Sequence, residues 1–224
     1  MDVIPTLAGV YRVEDKLTLG FAALGTAGMG VSYPMGADGL YTMRTYTNYM
    51  NMRVAPAAAY RVSDALSIGV AANVQYAMMG WEAGGMSARE RSGALGIGGT
   101  VGLSYKVADQ LTIGASYESK SFYQTFEFDI PSHVVMTPGG PATVPGGVDQ
   151  LDFDQPQVAT IGLAARPLEG LLVAFDAQWI NWSETNGANL PAFQNDLTLT
   201  GGMPRNLDWA DQGVLKIGAQ YDLP

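Results

Sequence analysis

"LSIGVAANVQYAMMGW", residues 66–81, alternates almost without fault. Leu66, Ile68, Val70, Ala72, Val74, Tyr76 and Met78 fall on one side, and Ser67, Gly69, Ala71, Asn73, Gln75, Ala77 and Met79 on the other. A period of two marks a strand with two unlike faces, and helical spacing does not fit it. The same test succeeds elsewhere. Leu95, Ile97, Gly99, Val101, Leu103 and Tyr105 oppose a row of glycine, threonine and serine. Leu111, Ile113, Ala115 and Tyr117 oppose Thr112, Gly114, Ser116, Glu118 and Lys120. Leu171 to Trp179 and Leu215 to Tyr221 repeat the pattern, with Asp176 and Lys216 on the polar side.

Just before this stretch stands "AYRVSDALSIG", 59–69, whose near-copies are "VYRVEDKLTLG" at 10–20 and "SYKVADQLTIG" at 104–114. Each is a tight turn, in which Asp15, Asp64 or Asp109 is suited to bond neighbouring backbone N–H groups. The pattern predicts strands near 4–13, 17–25, 41–62, 66–81, 94–107, 111–128, 157–166, 171–183 and 213–222. Short turns at 14–16, 63–65, 108–110 and 167–170 alternate with long connections at about 26–40, 82–93, 129–156 and 184–212.

That asymmetry is the habit of a bacterial outer-membrane barrel, with short periplasmic turns and long extracellular loops. The expected fold is therefore all-β, a transmembrane antiparallel up-and-down barrel, with residues 1–224 forming one domain. Tyr11, Tyr60, Tyr105 and Tyr221 would all stand where a strand reaches its periplasmic turn. An apolar ring with a polar hydroxyl suits the bilayer interface, so the four read as an aromatic girdle against outer-membrane lipid. A water-soluble meander whose tyrosines cap an ordinary core is the competing reading.

Composition removes several function classes. The 224 residues contain no cysteine and one histidine, His133, so disulfides, thiolate metal sites and histidine-rich metal sites are not expected. A net charge of -9, with no basic stripe, argues against nucleic acid. No Ser-His-Asp or paired-carboxylate arrangement stands at readable spacing, so neither an enzyme nor a bound cofactor is expected. The glycine cluster "GIGGTVG", 96–102, lacks the G-x-G-x-x-G spacing of a nucleotide loop and reads as small lumen-facing residues.

Candidate binding residues come from the uneven methionines and one apolar loop. Met29, Met35, Met43, Met50 and Met52 surround the first long connection, and Met78, Met79 and Met86, with Trp81, flank the second. Methionine is flexible and polarizable, and suits a surface that accepts varied apolar ligands. The 129–147 loop, with Val134, Val135 and Met136, is apolar for an exposed segment; it would either capture a hydrophobic small molecule or detergent, or pack to seal the barrel mouth. Glu118, Lys120, Asp176 and Lys216 face the lumen, where they would pair with one another, or Lys120 or Lys216 would meet a ligand carboxylate.

Two segments go beyond general barrel grammar. "RVAPAAAYRVSDALSIGVAANVQY" at 53–76, and "QPQVATIGLAARPLEGLLVAFDAQWINWSE" at 155–184 with "LDWADQGVLKIGAQYDL" at 207–223, resemble the FadL-type family of outer-membrane transporters for long-chain fatty acids and aromatic hydrocarbons. The matching features are Pro56, Trp179, "NWS" at 181–183 and "DWADQ" at 208–212. The resemblance implies passive uptake of hydrophobic molecules by a monomeric fourteen-stranded barrel with an N-terminal hatch. Its ligand would leave laterally where a wall strand kinks. Nine strands, an N-terminus without a secretory signal and no closing aromatic C-terminus lead to the expectation of an interior piece of such a barrel, or of a wall completed by another chain. A non-transporting structural or adhesive barrel is the alternative function, and a polar-solute porin a weaker third.

Overall fold

The computed structural model describes residues 6–33, 45–83, 86–87, 91–188, 190 and 207–222. The elements are β1 (Thr6–Arg12), β2 (Leu17–Tyr33), β3 (Thr45–Arg61), β4 (Leu66–Ala83), β5 (Met86–Ser87), β6 (Ser92–Ala108), β7 (Leu111–Glu118), β8 (Phe122–Tyr123), β9 (Phe126–Ile130), β10 (His133–Thr137), β11 (Gly140–Val144), β12 (Gly147–Leu151), β13 (Val158–Leu168), β14 (Leu171–Ile180), α1 (Ser183–Asn186) and β15 (Gln212–Tyr221). The wall runs β1-β2-β3-β4-β6-β7-β13-β14-β15, each strand antiparallel to the next. Short turns join its pairs at one end, and Gly170 closes the β13–β14 turn in the left-handed region, φ 77.

The two faces are distributed as in a membrane barrel. On β4, Ile68, Val70, Val74 and Tyr76 are exposed, Val70 at 57%, whereas Asn73 and Gln75 on the opposite face are 2% and 1% exposed. Leu95, Ile97, Val101 and Leu103 of β6 continue the exposed apolar face. From Leu66 to Tyr76 the strand rises about 33 Å, which a ~40° tilt reduces to about 25 Å, the height of a barrel's apolar band. Tyr11, Tyr60, Tyr105 and Tyr221 are all exposed near the short-turn end. No second layer covers these residues among those described.

The boundaries differ from the sequence reading in four places. β2 continues through 26–33, where glycines at 25, 28 and 30 obscure the alternation. Between Gly25 and Ala27 its register with β3 shifts by a bulge, after which Met29 pairs with Tyr49, Val31 with Thr47 and Tyr33 with Thr45. The extra residue turns Met29, Val31 and Tyr33 towards the concave face. β7 stops at Glu118, and the chain from 119 to 157 folds inward as β8 and two hairpins, β9–β12 and β10–β11. β14 stops at Ile180 and a single helical turn follows. β4 extends to Ala83 and pairs with β5 inside the second long connection. Residues 34–40 of the first connection, and Met35 and Met43, lie outside the described residues.

The turns also redistribute the expected bonds. In the 63–65 turn it is the Ser63 hydroxyl that accepts from the N–H groups of Ala65 and Leu66, at 3.3 and 3.1 Å. In the third turn Asp109 lies 2.6 Å from the Lys106 ammonium, which bonds it and holds its carboxyl below the ordinary value.

Outward burial in lipid gives a direct check. Val74→Arg, well inside the apolar band, is expected to destabilise the folded protein by about 2–4 kcal/mol, and Val62→Arg, at the turn end, by about 0–1 kcal/mol. Reversible denaturant unfolding from lipid vesicles measures both. Equal costs at the two depths would contradict the placement of the band.

Candidate functional site

The concave face of the wall is stratified. Towards the long connections, Tyr49, Ala77, Met79 and Ala94 of the wall bury Phe126, Phe128, Ile130, Leu151 and Phe153 of the infolded segment. The ring contacts are mostly edge-to-face: Tyr49 with Phe153 at 5.1 Å and Trp81 with Phe128 at 6.0 Å. Such pairs add about 0.5–1.5 kcal/mol beyond area burial.

Glycines on β6 make room for this segment. A Cβ at Gly98 would lie 2.6 Å from the Ser121 hydroxyl, and one at Gly96 would lie 2.6 Å from the Tyr123 ring. Ser121 exchanges backbone hydrogen bonds with Gln155, at 3.0 and 3.2 Å, tying the two arms of the infold together. The "GIGGTVG" cluster is thus a corridor for a second piece of chain.

Beneath the aromatic layer lies a polar belt. The Asn51 amide donates to Gln75 Oε1 (2.8 Å) and Thr26 Oγ1 (2.9 Å). Gln75 Oε1 also accepts from the Tyr123 hydroxyl at 2.9 Å, while its own amide donates to Ser121 Oγ at 2.6 Å. Burial pushes the Tyr123 hydroxyl up to about 12. Arg53 grips Glu118 with both terminal nitrogens, one bond being 3.0 Å, across the intervening strands β4 and β6. That reach requires the sheet to curl. The two side chains are 17% and 24% exposed. Lys120 pairs with Asp154 at 2.8 Å and lies 5.2 Å from the Phe122 ring centroid.

Below the belt, towards the short turns, small side chains line a trough of ≈ 510 Å³, including Gly20, Ala57, Gly69, Ala71, Gly102 and Ser116. A second cavity, ≈ 330 Å³, sits at the β2 bulge and is lined by Gly25, Gly28, Gly30, Asn48, Met50 and Met52 among others.

The expected site residues therefore separate. Met79 is buried in the aromatic layer and Trp81 packs against it. Met78 stands on the outer face opposite Met50. Val134 is 63% exposed on the β10–β11 hairpin, whose backbone also carries Val135 and Met136. Lys120 is in its ion pair, and Lys216 faces Asp176 across the β14–β15 ladder, with its ammonium 3.4 Å from Gln178. His133 hydrogen-bonds the Pro131 carbonyl through Nδ1 at 3.1 Å, and no cluster of metal-ligating side chains occurs among the described residues. Arg53, Gln75 and Asn51 were not singled out from the sequence; a charged or amide residue on the small-residue face of a strand was the available signal.

The motif residues near the C-terminal strand form a latch. Trp182 meets Trp209 edge-on at 4.7 Å, and Trp209 meets Phe153 at 5.8 Å. Asp211 accepts from the Ser183 N–H at 3.0 Å, and this bonding holds its carboxyl below the ordinary value.

Comparison with known proteins agrees with this geometry. The family model described as "Outer membrane protein transport protein (OMPP1/FadL/TodX)" matches residues 1–224. No curated protein matches the chain. Among solved structures, the Ralstonia pickettii toluene transporter TbuX is 22% identical with a TM-score of 0.76, covering 97% of this chain and 64% of its own. The Pseudomonas putida toluene transporter TodX is 20% identical with a TM-score of 0.76, covering 99% and 65%. A Pseudomonas aeruginosa FadL homologue is 14% identical with a TM-score of 0.71, covering 99% and 57%. The chain thus spans less than two thirds of the length of these relatives.

Two substitutions test the interior. Gly98→Leu is expected to displace the infolded segment at a cost of about 1–3 kcal/mol, seen as faster proteolysis within 119–157. Arg53→Met leaves Glu118 enclosed without its partner and is expected to cost about 3–5 kcal/mol, most of it recovered in the Arg53→Met/Glu118→Leu double variant. Additive losses in the denaturation cycle would contradict a direct pair.

Proposed function

The chain belongs to the OMPP1/FadL/TodX family of outer-membrane transport proteins, and from that premise we propose that it forms part of a passive channel for hydrophobic molecules. The observation that carries this reading is the apolar layer held inside the wall, above a trough of small residues, in a barrel that turns its other apolar face to lipid. The β10–β11 hairpin, with exposed Val134, offers an apolar landing surface beside the long connections. Met79 and Trp81 line the next step, against Phe128. Burial of a hydrocarbon at this layer is driven by about 0.8 kcal/mol per CH₂ removed from water.

Lateral release is assigned to the β2 bulge. It is a register shift midway along a wall strand, with a cavity beside it and Met50, Met52 and Met78 on its outer side. A bulge breaks the hydrogen-bond ladder locally, and glycines at 25, 28 and 30 leave no side chains to fill the gap. The packed Phe126–Phe153 layer favours a second reading, a filled, non-conducting barrel that is structural or adhesive.

Uptake of radiolabelled toluene into vesicles carrying the intact protein separates the two. Transport predicts entry faster than in protein-free vesicles, and slowing by about tenfold or more in Met79→Asp, because an unpaired carboxylate in an apolar layer is costly. Entry no faster than the protein-free control would leave the filled barrel standing.

A further inference from the structure

We infer that Glu118 occupies the seat that a ligand carboxylate would otherwise take on Arg53, so that this passage admits uncharged hydrocarbons and turns away fatty-acid anions. The inference rests on the transport reading and names its substrate class.

The pair lies between the two apolar compartments. On β3, Tyr49 belongs to the aromatic layer, Arg53 to the belt and Ala57 to the trough. On β4, Ala77, Gln75 and Ala71 follow the same order, and on β7 Glu118 stands above Ser116. A molecule moving from layer to trough passes this level.

A guanidinium is the side chain best fitted to grip a carboxylate, through two parallel N–H···O bonds. Here both terminal nitrogens already hold Glu118, and one of them also approaches Gln75 Oε1 at 3.4 Å. Of the three guanidinium nitrogens of Arg53, only Nε has no acceptor among the described residues. With both terminal nitrogens engaged, the fork that an anion needs is already taken. Lys120, two residues beyond Glu118, is likewise paired, with Asp154 at 2.8 Å.

An entering fatty-acid anion would therefore meet balanced charge, and would have to evict Glu118 into a poorly solvated interior. Removing one partner from an enclosed ion pair is the costly change, because the charge left behind is unpaired. A neutral hydrocarbon disturbs neither charge.

Laurate and dodecanol share a chain length and differ in charge, so they serve as probes. Binding to the intact protein in vesicles is measured as excess over protein-free vesicles, at a pH where the laurate carboxyl is ionised. The unmodified protein is expected to hold dodecanol at least about tenfold more tightly than laurate. Glu118→Gln is expected to raise the laurate-to-dodecanol affinity ratio at least about tenfold, and Arg53→Gln in that background to abolish the rise. Heat-modifiable migration in gels establishes that each variant is folded; if Glu118→Gln is not, the comparison in the unmodified protein still decides. Equal affinities there, or a folded Glu118→Gln whose ratio is unchanged, would overturn the inference while leaving hydrocarbon transport intact. Failure of both dodecanol and toluene to enter would instead overturn transport, and this inference with it.

Discussion

A hydrocarbon layer offers no water to bond a peptide group, so each backbone N–H and C=O within it has to find its partner in the protein. The wall meets that demand strand by strand. From β2 to β14, every spanning strand has a hydrogen-bonded neighbour on each side. Once the backbone is laddered in this way, side chains can only point outward to lipid or inward to the concave side. The apolar residues then face out and the amides, ions and small residues face in, the reverse of a water-soluble domain. The exposed Ile68, Val70 and Val74 are thus in their proper solvent.

Inside the curl, the same scarcity of water governs the polar groups. Asn51, Gln75, Ser121 and Tyr123 are knit into one network because an enclosed amide left unpaired costs about 1–3 kcal/mol. Arg53 and Glu118 answer one another for the same reason, at higher stakes. The network also anchors the infolded 119–157 segment, which reaches the wall only because β6 presents glycines at 96 and 98. Packing space and hydrogen bonding here support each other, and the aromatic layer rests on both.

The proposed function rests on this layering. An apolar layer, a balanced polar belt and a trough of small side chains lie in sequence down the concave face, and a bulge interrupts the wall beside the upper part. On the proposed reading each compartment accommodates a hydrocarbon, and the belt between them discriminates by charge. The 126–130 and 147–153 stretches pack as a seal, whereas the β10–β11 hairpin keeps Val134 in the open.

Local periodicity was enough for the strands, their faces and the short turns, because alternation along one strand is set by its own pleat. The "NWS" and "DWADQ" residues carried the family. The β2 bulge left no such trace: one extra residue among glycines and alanines inverts the faces of Met29, Val31 and Tyr33 without altering composition. Nor could pairing be read where it joins distant strands. Arg53 and Glu118 are 65 residues apart and meet across β4 and β6 only because the sheet curls. Curvature is a property of the assembled wall, so the partner of a lumen charge is chosen there and not along the chain.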